Sequence, residues 1–205
     1  MPVVHINGKQ LFPHQYLPLL LRSRGWSLKQ RNSHSVVKHN GTVLHLTTTK
    51  AGALVWEWSY WKRTYLPPFS LQEKTVLDIG AGSGETAYFF FEHGASKVVA
   101  VESSEEDVKF LRENARRHDW NIEIIEQPFS LSHLKEPFDF MKMDIEGGER
   151  LLLDLDKIDF PCVLEAHTVD LAHAFRSLFD MKVSHQLRNR PIYTLNNFHK
   201  FDSAQ

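Results

Sequence analysis

The segment Thr75-Val-Leu-Asp-Ile-Gly-Ala-Gly-Ser-Gly-Glu85 carries an apolar, β-branched run through Asp78 into three glycines at alternate positions, Gly80, Gly82 and Gly84. A helix-compatible segment, residues 85–93, follows. Strand, tight glycine turn and helix start together let the backbone of Gly80, Ala81, Gly82 and Gly84 approach a nucleotide-like ligand closely. A second run, Lys97-Val-Val-Ala-Val-Glu102, ends in an acid about twenty residues beyond the first glycine. A carboxylate there is placed to accept hydrogen bonds from both hydroxyls of a ribose. Ser103 comes next and suits a backbone contact with the base.

The glycine spacing separates two cofactors. A dinucleotide fingerprint needs Gly-x-Gly-x-x-Gly, and the place of its third glycine holds Glu85. That carboxylate would stand close to a pyrophosphate and repel it. Asp-x-Gly-x-Gly-x-Gly is instead the pattern of S-adenosylmethionine (SAM) enzymes, whose ligand has no phosphate and whose sulfonium tolerates an acid. SAM is the expected cofactor. Asp78 is placed to anchor the turn and to meet the methionine amine.

Three further strand ends complete the expected site. Glu126-Gln127-Pro-Phe129 offers a carbonyl acceptor for an adenine amine at Gln127 and a ring-packing surface at Phe129. Met141-Lys-Met-Asp144-Ile-Glu146-Gly147-Gly148-Glu149 sets carboxylates beside a cationic sulfonium, where they orient an acceptor hydroxyl or take its proton. Glu149, at a helix start, reads as stabilising the helix dipole. Leu164-Glu165-Ala-His167 puts Glu165 and His167 on one strand face. His167 is the expected general base, because an unperturbed imidazole titrates near neutral pH. Asp144 is its expected partner, and Glu146 is the next candidate base. Strands ending in Asp78, Asp144 and His167 are expected to be neighbours at the centre of a sheet. No resident metal is expected, although Asp144, Glu146, Glu165 and His167 would suit a hard divalent ion if they converged.

These residues require an alternating scaffold. Strands are predicted over residues 75–79, 97–102, 122–126, 138–144 and 161–166, and helices over 85–93, 105–118, 146–154 and 168–179. Two more strands, 182–187 and 192–198, flank an Arg188-Asn-Arg-Pro191 turn. Alternation of strand and helix implies an α/β, doubly wound, seven-stranded and mostly parallel sheet, with its ligand beyond the C-terminal strand ends. Ahead of it lies a small α/β N-terminal extension. A short helix is predicted over residues 14–24, then a hairpin over 35–46 around Asn40-Gly41, then an aromatic helix over 51–63 covered on two sides. Pro67-Pro68 divides the extension, 1–68, from the SAM-binding unit, 69–205.

At 205 residues, 42% hydrophobic and 24% charged, the composition is that of a soluble globular protein. Cys162, the sole cysteine, forms no intramolecular disulfide and reads as a core residue. No apolar run has membrane-spanning length, and Leu17-Pro-Leu-Leu-Leu21 is too short and too late for a signal peptide. The cytoplasm is the expected compartment. Charge is unevenly spread: residues 1–70 hold nine Lys and Arg against one acid, Glu57, and four of the five tryptophans. Such a segment suits an anionic partner or packs on an acidic body. The second reading is favoured.

Val76-Leu-Asp-Ile-Gly-Ala-Gly82, Met143-Asp-Ile-Glu-Gly147 and Leu164-Glu-Ala-His167 together resemble the FkbM-type family of class I SAM-dependent methyltransferases, over roughly residues 55–200. Asp-Ile-Glu-Gly is the most specific part. The resemblance implies SAM as methyl donor and a hydroxyl of a sugar or other small molecule as acceptor. Ser83 stands where the family often has Asn, and the tryptophan-rich lead is not part of its pattern. An RNA methyltransferase gripping the phosphate backbone through that lead is the alternative. Against it, the fourth strand lacks the Asn/Asp-Pro-Pro-aromatic tetrapeptide of base amino-group methylation. A non-catalytic SAM-binding protein and a metal-dependent hydrolase are more distant readings.

Overall fold

Buried, β-branched runs form the centre of the molecule. The computed structural model describes residues 4–6, 9–11, 21–22, 24–31, 34–187 and 190–201. A short β1 (Val4–Ile6) pairs antiparallel with β2 (Lys9–Leu11). A three-stranded meander follows: β3 (Trp26–Gln30), β4 (Ser35–His39) and β5 (Thr42–Leu46). The predicted hairpin is its second half, with Asn40 and Gly41 both at positive φ, as a two-residue turn requires. Strand β3 was not foreseen, because it is a mostly exposed edge strand with little apolar alternation. Most of the predicted helix over 14–24, and residues 188–189 of the predicted turn, lie outside the described residues.

Helix α1 (Thr48–Thr64) comes next and buries Leu54, Val55, Trp58 and Trp61. Trp56 remains 37% exposed, so the helix has one covered side and one open side, not two covered ones. The second unit contains β6 (Thr75–Ile79), α2 (Glu85–Glu92), β7 (Lys97–Glu102), α3 (Glu105–His118), β8 (Ile122–Glu126), β9 (Phe140–Met143), β10 (Cys162–Ala166), α4 (Val169–Phe179), β11 (Lys182–Gln186) and β12 (Tyr193–Asn196). Their order in the sheet is β11-β12-β10-β9-β6-β7-β8. Strands β10, β9, β6, β7 and β8 run parallel, while β12 is antiparallel to both β10 and β11. The expected α/β doubly wound sheet is therefore present, with β10, β9 and β6 adjacent at its centre.

The predicted helix over 146–154 is a 3-10 run, Gly148–Asp154. Glu146 and Gly147 at positive φ delay its start, and the seven residues that remain before the extended Leu155 keep the tighter 3-10 form typical of short runs. Cys162 is buried and free, and burial pushes its thiol up to about 12.

The N-terminal extension is keyed onto the sheet unit. Trp26, Leu44, Trp58 and Trp61 share one apolar core with Val76, Tyr88 and Phe89. The Asn114 side chain donates to the carbonyls of His45 and Ser83 and accepts from the His45 amide. At the start of α1, the Thr47 amide donates to Ser83 Oγ at 3.2 Å, and Thr47 Oγ1 donates to Asp107 at 3.0 Å. Ser83, the departure from the family pattern, thus pins α1 to the glycine turn.

Candidate active site

The glycine turn needs its glycines. Gly80, Gly82 and Gly84 all have positive φ, and a Cβ at Gly80 would lie 2.0 Å from the Asp144 carbonyl oxygen. Side chains other than hydrogen are excluded where β6 and β9 exit together. Beside the turn lies a cleft lined by Gly80, Glu102, Ser103, Gln127, Phe129 and Ile145, with Ile79 and Val101 beneath. Five of the expected cofactor residues therefore converge. Glu102 Oε2 accepts from the Gly82 amide at 2.9 Å, and Oε1 accepts from the Ser103 and Ser104 amides at 2.7 and 2.8 Å. These bonds fix the carboxylate at the rim.

Asp78 is placed differently. It is fully buried, accepts from Thr86 Oγ1, and lies 3.1 Å from Lys142 Nζ. Lys142 is its register partner on β9 and also donates to the Gly80 carbonyl at 2.9 Å. Burial alone would lower the pKa of Lys142, but Asp78 and Asp144 outweigh it and raise the value. The pair braces the turn from below, so the expected contact of Asp78 with a methionine amine is corrected: the carboxylate faces Thr86 and Lys142 instead.

On the β10 side, His167 Nδ1 lies 2.8 Å from Glu149 Oε1, and Nε2 lies 3.5 Å from Asp144 Oδ1. Asp144 and His167 thus face each other, as expected. Glu149 is fully buried and also accepts from the amides of Ile145 and Gly147. Burial would lower the His167 pKa, but the hydrogen bond and charge of Glu149, with Asp144 and Glu165, raise it to about 9. The ring is an imidazolium at neutral pH, which corrects its expected role as a neutral base. Asp144, Glu149 and His167 each bring one donor atom within 4.8 Å of the others, a spacing that could hold a metal ion. Charge pairing accounts for the same arrangement. Glu146 is exposed and stands outside this cluster.

Glu165 turns toward α1, where its Oε1 accepts from Tyr60 Oη at 2.9 Å and Tyr65 Oη at 2.8 Å. Tyr60 Oη also contacts Thr194 Oγ1. Glu57, one turn earlier on α1, is at the exposed rim. Partial withdrawal of its carboxyl from water, then repulsion by Glu165 and Asp144, push its pKa up to about 7.

Residues 76–145, the span from glycine turn to Asp144, match the family described as a methyltransferase domain. The chain carries a SAM-dependent methyltransferase domain. Ribosomal protein L11 methyltransferase of Thermotoga maritima is 32% identical over 120 residues, covering 58% of this chain and 41% of that protein. The same protein of Thermotoga petrophila matches equally, so the chain spans less than half the length of these curated relatives. Two solved structures share the fold. M. jannaschii TYW2 in complex with AdoMet has a TM-score of 0.57 at 14% identity, covering 82% of this chain and 86% of that one. Aeropyrum pernix fibrillarin with natively bound SAM has a TM-score of 0.53 at 13% identity, covering 83% and 97%.

Several residues of the candidate site were not foreseen from the sequence. Lys142 had a legible signal, a lysine within the otherwise apolar Phe140–Met143 strand. Glu57, Tyr60 and Tyr65 had none, because they lie before the glycine motif and reach the site only through the packing of α1.

Proposed function

We propose that the chain is an FkbM-type methyltransferase that transfers the methyl group of SAM to a hydroxyl. The observation that carries this reading is the set of ionisable groups at the strand ends. His167 Nε2 lies 3.5 Å from Asp144 Oδ1, and Asp144 is next in sequence to Ile145 of the cleft that holds Glu102 and Gln127. The charges of Asp144 and Glu165 act on Glu57. SAM supplies an electrophilic methyl group; its transfer breaks a C–S bond, forms an O–C bond and leaves one acceptor proton to be removed. Glu57 suits that removal, because its pKa of about 7 lies near working pH. Asp144 and the His167 imidazolium orient the acceptor, Tyr60 and Tyr65 hold Glu165, and Glu102 holds the ribose. Positioning of this kind supplies most of the rate in an in-line displacement. Small-molecule hydroxyls, sugars included, are the first acceptors to test.

One observation favours RNA as a second reading. Arg22, Arg24, Lys29, Arg31 and Lys38 are exposed and form no ion pair with a described residue, so these five charges are not what packs the lead on the acids of the sheet unit. Of Arg22, Arg24, Lys29, Arg31, Lys38, Lys50, Lys62 and Arg63, Lys50 alone reaches a described carboxylate within ion-pair distance. The curated relatives add a ribosomal protein to the acceptors worth testing. Incubation with methyl-labelled SAM and an extract split into small molecules, RNA and protein decides among them. Label in the small-molecule fraction supports the first reading; label confined to RNA or to protein overturns it.

A further inference from the structure

Helix α1 delivers a cation to the glycine turn. Thr47 at its start is bonded to Ser83 and Asp107, which places Lys50, one turn on, over the turn. Lys50 Nζ lies 3.8 Å from Glu85 Oε1, an ion pair too long for a hydrogen bond, and its side chain is one-third exposed at 33%. Glu85, Asp107, Glu102 and Asp144 all act on its charge. Glu85 is 3% exposed and folds back over the turn, since a Cβ on Gly82 would meet its Oε1 at 2.3 Å. Its second oxygen, Oε2, is buried without a hydrogen-bond partner. A buried carboxylate oxygen left unpaired is costly and marks a place where a donor belongs.

We propose that Lys50 and Glu85 form a clamp for the zwitterionic methionine end of the cofactor, Lys50 taking its carboxylate and Glu85 its ammonium. The inference rests on the reading that SAM is the ligand. The carboxylate is the anionic group of SAM, and it would enter a turn ringed by acids. It therefore requires a cation. Lys142 is already committed to Asp78 and the Gly80 carbonyl beneath the turn, and His167 stands between Glu149 and Asp144. Among the described residues at the turn, Lys50 is the accessible cation. The clamp also makes the extension part of the cofactor site, because Lys50 lies outside the matched span 76–145.

The test is calorimetric titration of the full chain with three adenosine thioethers. S-adenosylhomocysteine carries the whole head group, S-adenosyl-3-thiopropylamine lacks the carboxylate, and 5′-methylthioadenosine lacks both charges. Lys50→Met is expected to weaken S-adenosylhomocysteine about tenfold or more while leaving the other two unchanged, and Lys50→Arg to restore it. Glu85→Gln is expected to weaken both amine-bearing ligands and spare methylthioadenosine. Equal losses for all three ligands, or no loss, overturn the clamp. Failure of the unaltered chain to bind any of them overturns the SAM reading instead. Should Lys50→Met not fold, Lys50→Gln at this partly exposed position carries the same comparison.

Discussion

His167 and Glu149 form a 2.8 Å ion pair in which a fully buried carboxylate holds an imidazolium at the end of β10. Its consequence is a stability that depends on pH. The folded-state pKa of about 9 lies above the ordinary value of 6.5, so the pair's contribution is full below about pH 6.5 and is lost as pH rises toward 9. Urea denaturation between these limits is expected to show a decline on the order of 2 kcal/mol. His167→Gln should abolish most of that slope. A slope unchanged in the variant would separate His167 from the titration.

The Asp78–Lys142 pair makes a different demand. Both side chains are buried, so Asp78→Asn strands a charged lysine beneath the glycine turn. Breaking such a pair from one side costs about 3–5 kcal/mol. Lys142→Met is expected to cost similarly, whereas the double replacement should recover part of the loss. Additive losses would mean that the two side chains do not interact.

What could be foreseen divides along a physical line. Strands 75–79 and 97–102 stand where their apolar runs put them, since buried parallel strands write themselves as contiguous apolar runs, while the edge strand 122–126, partly exposed, shows as isoleucines broken by Glu123. Glu102, Gln127 and Phe129 meet at one cleft because strand ends in such a sheet share one rim. The partner of a charge was less legible. Asp78 turned out to face Lys142 from a neighbouring strand 64 positions later, a pairing set by register. The charge state of His167 depended on Glu149, whose buried position follows from an irregular 3-10 run. The contribution of α1 was hidden for the same reason: an aromatic helix reveals its apolar side but not which strand end its Glu57 and Tyr60 will reach.

Glu102 tests the cofactor cleft directly. Its carboxylate organises the amides of Gly82, Ser103 and Ser104, and the proposed function gives it the ribose. Glu102→Ala is expected to weaken S-adenosylhomocysteine by roughly 1.5–3 kcal/mol, the loss of charged hydrogen bonds. Thermal shift with saturating S-adenosylhomocysteine, set beside NAD, provides the control. A melting temperature raised by NAD alone would refute the cofactor assignment.

The last prediction concerns the proton. Two groups at the proposed acceptor rim have pKa values that suit a base, Glu57 at about 7 and His167 at about 9, and they demand different profiles. A base must be deprotonated to act, so catalysis through Glu57 should fall on the acid side of pH 7 and reach a plateau by pH 8. Catalysis through His167 should still be rising at pH 9. Glu57→Gln is expected to lower turnover by about a hundredfold, the usual loss for a general base, and to remove the acid limb. Binding of S-adenosylhomocysteine should be retained, because Glu57 lies apart from the residues that line the cofactor cleft. The comparison is best made on single-turnover rates, which exclude product release from the limb. A limb that persists in Glu57→Gln but disappears in His167→Gln would return the role to His167 and leave Glu57 as part of the acceptor's surroundings.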